Sequence, residues 1–222
     1  MNNSQMRYPV SVTGRNWLTS EVYELNCTRP EGFKFRCGQH VSLGIDEEER
    51  YYTIVSPEHS NSLSFLIKKV PQGIVSIALA TLPIGSTIEI NSARGYLVPR
   101  VTERQRVFVA TGTGIAPFVS MISSGKEVDY LLHGARDLEN LYYQDSFADT
   151  VSFYIRCLSR QPRQVDTENG IYTGYVTTFI EHSLPRGIYD FYLCGKWDMI
   201  REVTHAIDKR FPDANIYSEG FY

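Results

Sequence analysis

The chain has 222 residues, enough for one large domain or two of about 100 residues each. Its hydrophobic content of 42% is that of a globular chain with a core to bury, and a formal net charge of -3 offers nucleic acid no basic face. No apolar run approaches the ~18 residues of a membrane-spanning helix.

The opening residues, MNNSQMRYPV, lack the basic-then-apolar order of a secretory signal, so a cytoplasmic location is expected. Segments rich in Val, Ile, Thr, Tyr and Phe then follow at 8–15, 21–28, 39–45, 51–56, 62–69 and 87–91. Gly, Pro, Asn or Asp separates most of them, and that spacing predicts an antiparallel barrel or sandwich. Four cysteines are spread along the chain, Cys27, Cys37, Cys157 and Cys194. None forms a C-x-x-C pair or has a histidine at ligand spacing, so neither a metal site nor a ferredoxin-type cluster is expected. The first three read as small buried hydrophobes.

Arg50-Tyr51-Tyr52-Thr53 opens the fourth segment. Strand alternation puts Arg50 and Tyr52 on one face and Tyr51 and Thr53 on the other. An arginine beside an aromatic can pair a diphosphate and support a planar ring, although such a strand is most often structural. One helix is predicted at 74–82, with Ile74, Ile77, Ala78 and Leu82 on a shared face and Pro83 and Gly85 to stop it. Its start, Gly73-Ile74-Val75-Ser76, either offers donors to a phosphate or is an ordinary helix start.

Residues 100–105, RVTERQ, read as a charged hinge between a domain at 1–101 and a second at 105–222. Beyond it, strands predicted at 106–110, 128–133, 152–157, 191–194 and 215–218 alternate with helices at 116–123, 137–148, 176–182 and 199–211. That alternation predicts a doubly wound parallel sheet, whose ligands sit outside the carboxyl ends of the strands. The most informative segment is Ala110-Thr111-Gly112-Thr113-Gly114-Ile115-Ala116-Pro117, with two glycines and two hydroxyls, which follows an apolar strand and opens a helix. Its glycines allow a sharp turn and close approach to a phosphate. Pro117 sits in the first helical turn, where no donor is lost, and the helix start presents free N–H groups to an anion. It is not the G-x-G-x-x-G fingerprint, because Pro117 stands at the third glycine position.

In this order, Arg50-x-Tyr52-Thr53, Gly73-x-x-Ser76 and Gly112–Pro117, across a barrel followed by an α/β half, resemble the ferredoxin–NADP reductase family. The segments His133-Gly134-Ala135-Arg136, Leu141 to Phe147, Gly174-Tyr175-Val176, Cys194-Gly195 with Met199-Ile200, and Glu219-Gly220-Phe221-Tyr222 extend the resemblance over nearly the whole chain. It implies an N-terminal antiparallel FAD-binding β-barrel followed by a C-terminal NAD(P)-binding α/β domain. The implied chemistry is hydride transfer between NAD(P)H and bound FAD.

Residue by residue, the resemblance implies that Arg50 holds the FAD diphosphate. Tyr52, with Tyr51 beside it, would lie against the flavin, and Thr53 would bond the flavin N5 region. Leu66, Ile67 and Lys68 would line the ribityl chain and diphosphate, and Gly73, Ile74, Val75 and Ser76 would cap the diphosphate. Gly112, Thr113, Gly114, Ile115, Ala116 and Pro117 would take the nicotinamide nucleotide's diphosphate, with Thr113 also reaching the flavin. Cys194 and Gly195, with Met199 beyond them, would stand near the nicotinamide, the plainer role of Cys194 being a buried end-of-strand thiol. Glu219 is either a proton donor or a solvated tail residue. Phe221 or Tyr222 would shield the flavin. Arg136 and Ser159-Arg160 resemble a site for a 2′-phosphate, which favours NADPH with NADH as the alternative. The implied acceptor is a ferredoxin or flavodoxin, and Lys68, Lys69, Arg94, Arg100, Arg104 and Arg106 are either its docking patch or an ordinary solvated face. Other readings are the reductase component of a multicomponent oxygenase, a free-flavin reductase, or a regulatory module that kept the fold.

Overall fold

The computed structural model describes residues 6–45, 47–147, 150–160 and 170–221, and the chain divides into two units. The first unit takes Met1–Pro99 together with Ala116–Ser124, and the second takes Arg100–Ile115 and Gly125–Tyr222.

In the first unit, β1 (Arg7–Trp17), β2 (Val22–Thr28), β3 (His40–Ile45), β4 (Glu48–Thr53), β5 (Ser62–Lys68) and β6 (Thr87–Asn91) are joined by one helix, α1 (Ile74–Thr81), between β5 and β6. The strands form one antiparallel sheet in the order β4-β3-β6-β1-β2-β5. A bridge between Ile54 and Phe65 brings the two outer strands together and curls the sheet into a near-barrel. Period-two alternation fills its interior: Val10 and Val12 from β1, Leu25 and Cys27 from β2, and Ile88 and Ile90 from β6 join Phe33, Leu43 and Phe65 in one core. Each such side chain contributes about 1.5–3 kcal/mol by leaving water.

The shared face of Ile74, Ile77, Ala78 and Leu82 is the less buried one, although Leu82 packs against the core. Ile74 and Ile77 are 62% and 40% exposed, whereas Val75, Ser76, Leu79 and Ala80 are buried. The segment is apolar on both sides, so its periodicity does not choose a roll; tertiary hydrogen bonds do. The Tyr23 hydroxyl donates to the Ser76 carbonyl at 2.8 Å. Arg15 donates to the carbonyls of Leu79 and Leu82 at 2.8 and 2.7 Å, a cationic cap on the negative helix end. A second helix, α2 (Ala116–Ser123), also belongs to this unit. Ser120 Oγ donates to the Ser56 carbonyl at 2.8 Å and Ser124 Oγ accepts from the Glu58 N–H at 3.0 Å.

The second unit is a six-stranded parallel sheet of β7 (Gln105–Thr111), β8 (Tyr130–Ala135), β9 (Phe153–Leu158), β10 (Ile171–Thr173), β11 (Tyr189–Lys196) and β12 (Asn215–Phe221). Its order is β10-β9-β8-β7-β11-β12. Strand β10 is absent from the sequence reading, because three residues at a sheet edge carry no periodic signal. Helices α4 (Val176–His182) and α5 (Trp197–Arg210) bury Val176, Phe179, Ile180, Ile200, Val203 and Ile207 in one core with Val107, Val109, Leu132, Phe191 and Leu193. At the amino-terminal edge of the sheet, arginines satisfy helix-end carbonyls: Arg210 donates to those of Glu181 and Leu184, and Arg186 to that of Arg210.

The predicted helix at 137–148 is corrected. Among the described residues of that stretch there is a 3-10 turn at Leu138–Asn140, then Tyr143 at φ 61°, then the short helix α3 (Gln144–Phe147). A non-glycine residue in the left-handed region ends helical continuity, and the Asn140 amide donating to Asp137 at 2.6 Å stabilises the turn instead.

Candidate functional site

The sequence-predicted residues fall into two groups, one in each unit. In the first unit, β4 carries Arg50 to Thr53. Arg50 is held by Glu48 Oε2 at 3.1 Å and the Glu49 carbonyl at 2.6 Å, with its side chain 63% exposed. Tyr51 is exposed and meets the His40 ring edge-on at 5.1 Å. Tyr52 packs on the barrel core, and that burial pushes its hydroxyl up to about 12 against the opposing pull of Arg50. Thr53 is buried. The Ile54–Phe65 bridge makes Thr53 and Leu66 the next pair along the antiparallel register. Two distant segments of the predicted site are thereby neighbours.

Ile67 and Val75 point into the core, so either can meet a ligand only through its backbone. Lys68 pairs with Glu21 at 3.3 Å. Gly73 is the N-cap of α1 and no side chain caps this helix, which leaves its first-turn donors uncapped. A Cβ on Gly73 would stand 2.7 Å from Ser76 Oγ and 3.0 Å from the Val70 carbonyl. The position is closed to a side chain by the protein's own atoms, and Ser76 Oγ accepts from the Val70 N–H at 3.2 Å.

In the second unit the predicted residues gather at the carboxyl ends of β7 and β11. These strands are neighbours although β11 follows β10 in the chain, so the connections leave in opposite directions and open a crevice at a switch point. Gly112 (φ +55°) begins a 3-10 turn over Gly112–Ile115. A Cβ on Gly114 would overlap the Cys194 carbonyl and lie 2.8 Å from Gly195 Cα. The turn thus rests directly on the Cys194–Gly195 backbone. Gly195 (φ +155°) has no room for a side chain, since one would strike Thr111 Oγ1 and come within 2.7 Å of Met199 Cε. On the other side of Thr111, Gly134 approaches its Cγ2 so closely that a Cβ would sit 2.8 Å away.

Cys194 is fully buried, and burial followed by the neighbouring Glu219 carboxylate pushes its thiol well up. Its thiol is therefore protonated and lies inside the protein. Cys194 and Glu219 are register partners across β11 and β12, and Lys196 pairs with Phe221. Tyr222 lies outside the described residues. Further along the strand ends, Ser159 and Arg160 donate their N–H groups to the carbonyls of Ala135 and Arg136, both at 3.0 Å. These bonds extend the β8–β9 ladder beyond its strands and bring the exposed Arg136 and Arg160 onto adjacent loops. His133, on β8, is fully buried; desolvation lowers its imidazole to about 3, and its Nδ1 lies 3.1 Å from the Tyr154 hydroxyl.

Two residues of this crevice are missing from the sequence-predicted set. Thr111 is the hub between Gly134 and Gly195, and its only signal was a hydroxyl at a strand end before glycine. Trp197 covers Gly220 and carries no signal beyond being an aromatic after Cys-Gly. Both roles come from strands that are remote in sequence.

Comparison with known proteins finds two families along the chain. An oxidoreductase FAD-binding domain family matches residues 17–98, and an oxidoreductase NAD-binding domain family matches residues 108–205. The toluate 1,2-dioxygenase electron transfer component of Pseudomonas putida is 30% identical over 202 residues, covering 84% of this chain and 59% of that protein. The flavodoxin/ferredoxin–NADP reductase of Shigella flexneri is 29% identical over 218 residues, covering 86% of this chain and 87% of that protein. Against the first four relatives, this chain spans a little over half of their length, 52–59%. A Neisseria gonorrhoeae ferredoxin NADP+ reductase solved with FAD and NADP superposes with a TM-score of 0.85 at 20% identity, covering 97% of this chain and 99% of that one.

Proposed function

Because the chain belongs to the ferredoxin–NADP reductase family of FAD- and NAD(P)-binding oxidoreductases, we propose that it moves reducing equivalents from NADPH through bound FAD to a ferredoxin- or flavodoxin-type protein. The observation that supports this most is the seating of the Gly112–Ile115 turn on the Cys194–Gly195 backbone at the β7–β11 switch point. That arrangement leaves backbone donors and a buried thiol beside a dinucleotide's path, with the Glu219 carboxylate one strand away.

FAD, when bound, supplies a ring that accepts hydride and releases electrons singly. The chain's own groups bind and orient. Arg50 and the Gly73–Ser76 helix start hold the FAD diphosphate, while Thr53 places a hydroxyl at the flavin edge and Tyr52 supports the ring. The Gly112–Pro117 segment holds the nucleotide diphosphate. Cys194 stays protonated and buried behind the nicotinamide's path, where it neither exchanges protons nor admits water. Arg136, Ser159 and Arg160 favour the 2′-phosphate of NADPH, with a cation and a hydroxyl in adjacent loops. Arg94, exposed in the first unit, is one cation that an acidic acceptor could meet. No helix among the described residues is long and apolar enough to cross a membrane, and we place the protein in the cytoplasm.

The reductase component of a multicomponent oxygenase is the second reading, favoured by the similarity to the toluate dioxygenase component. Anaerobic stopped-flow mixing of FAD-loaded protein with NADPH tests the donor half; an unbleached flavin band would refute it. Ferredoxin, flavodoxin and oxygenase-type acceptors assayed side by side then separate the two readings by which one is reduced.

A further inference from the structure

The outer strand end holds an aromatic that the proposed chemistry leaves unused. Trp197 opens α5 directly after β11, and its indole lies over Gly220 of β12. A Cβ on Gly220 would come within 2.8 Å of indole Cζ2 and would overlap the shared ring bond, so one ring face is pressed on bare backbone. The residue is nonetheless 48% exposed. A large apolar plane supported from beneath and open above, at a ligand crevice, is built to stack on another planar ring.

Strand order says which ring. From the Gly112–Ile115 turn after β7, the strand ends run one way to β8 and β9, where Arg136 and Arg160 stand, and the other way to β11 and β12, where Trp197 stands. Neighbouring strands are about 4.8 Å apart, so β12 lies roughly 10 Å from β7. A dinucleotide with its diphosphate on the turn and its phosphorylated adenosine on the arginine side must send its nicotinamide half toward Gly195, Met199 and Trp197. Hydride leaves one face of a nicotinamide ring, and the other face is free to stack.

We propose that Trp197 is the stacking platform of the nicotinamide half-site, resting on the family reading of Gly112–Pro117 as the diphosphate site. Gly220 is then required as glycine, because only a bare backbone lets the indole lie flat.

The test uses FAD-loaded protein carrying Trp17→Phe, which leaves Trp197 as the one indole of the two in the sequence. NADP+, nicotinamide mononucleotide and 2′-phospho-AMP are titrated while tryptophan emission and the flavin difference spectrum are both recorded. NADP+ and nicotinamide mononucleotide should quench the emission, and 2′-phospho-AMP should not. Trp197→Ala should weaken NADP+ by at least about 5-fold, the low end of a lost stacking contact. Trp197→Phe should recover most of that loss and Trp197→Leu should not, which separates stacking from simple packing. If NADP+ perturbs the flavin spectrum equally in Trp197→Ala and the parent, or only 2′-phospho-AMP quenches, the platform is refuted while the nucleotide site stands. If the parent shows no NADP+ response by either signal, the diphosphate-site reading fails first and the platform with it.

Discussion

Replacing Gly114 by alanine tests whether the crevice is built from backbone contact. The added Cβ would lie 2.6 Å from the Cys194 carbonyl carbon and 2.8 Å from Gly195 Cα. Carbon–carbon contacts settle near 3.5–4.0 Å, and both neighbours are main chain, so nothing can swing aside. The Gly112–Ile115 turn or the tip of β11 must therefore move by about 1 Å. Overpacking of this kind costs about 1–3 kcal/mol, and a misplacement of about 1 Å in a positioning element lowers rate by about 100-fold. Gly112→Ala is the control. Gly112 sits at φ +55° with nothing within 4 Å of an added Cβ, so it meets only the left-handed backbone cost of roughly 1–2 kcal/mol and no overlap. The assay is kcat/KM for NADPH with ferricyanide as acceptor, beside urea unfolding and flavin content. Gly114→Ala should lose about 100-fold in kcat/KM with FAD retained, and Gly112→Ala should lose much less. Equal kinetics for the two variants would refute the argument that Gly114 is held by contact with β11.

Arg160→Ala should lower the NADPH/NADH ratio of kcat/KM by about 10-fold or more, through loss of a charge-assisted phosphate contact; an unchanged ratio removes Arg160 from the 2′-phosphate site. His133 has a folded-state value of about 3 against an ordinary 6.5, so the unfolded chain binds more protons between those values. Its contribution is intact above pH 6.5 and is lost as pH falls toward 3, with a slope of up to about 1.4 kcal/mol per pH unit. Urea unfolding between pH 5 and 7 should show that slope in the parent and a flatter one in His133→Gln. Arg210→Ala removes donors from the Glu181 and Leu184 carbonyls, and should cost about 1.5–3 kcal/mol in urea unfolding while leaving KM for NADPH unchanged. All four cysteines are buried as free thiols, so a thiol reagent should label none in the native protein and all four after unfolding.

Much of the architecture was written locally. Alternating apolar residues from Tyr8 to Asn91 marked the barrel strands, and apolar segments alternating with helices marked the parallel sheet, because side-chain period follows directly from backbone geometry. The Gly112–Pro117 turn was legible for a similar reason, since glycine and proline restrict the backbone wherever they stand. Boundaries near Tyr143 and the edge strand Ile171–Thr173 were not legible, because a single left-handed residue and a three-residue strand carry no period. The roll of α1 was not legible because both its faces are apolar, and Arg15 and Tyr23 decide between them from another part of the sheet.

The candidate site divides along the same line. The residues that read as phosphate ligands, Arg50, Gly73, Gly112 and Gly114, could be named from the sequence, since that reading rests on each residue's own chemistry or its own φ/ψ freedom. Their juxtapositions could not: Thr53 beside Leu66, Gly114 against Cys194–Gly195, Thr111 between Gly134 and Gly195, and Trp197 on Gly220. Each joins segments distant in the chain, and strand order and register alone bring them together. Those are set by burying the whole core at once, a global balance of apolar area against chain entropy that no local window contains.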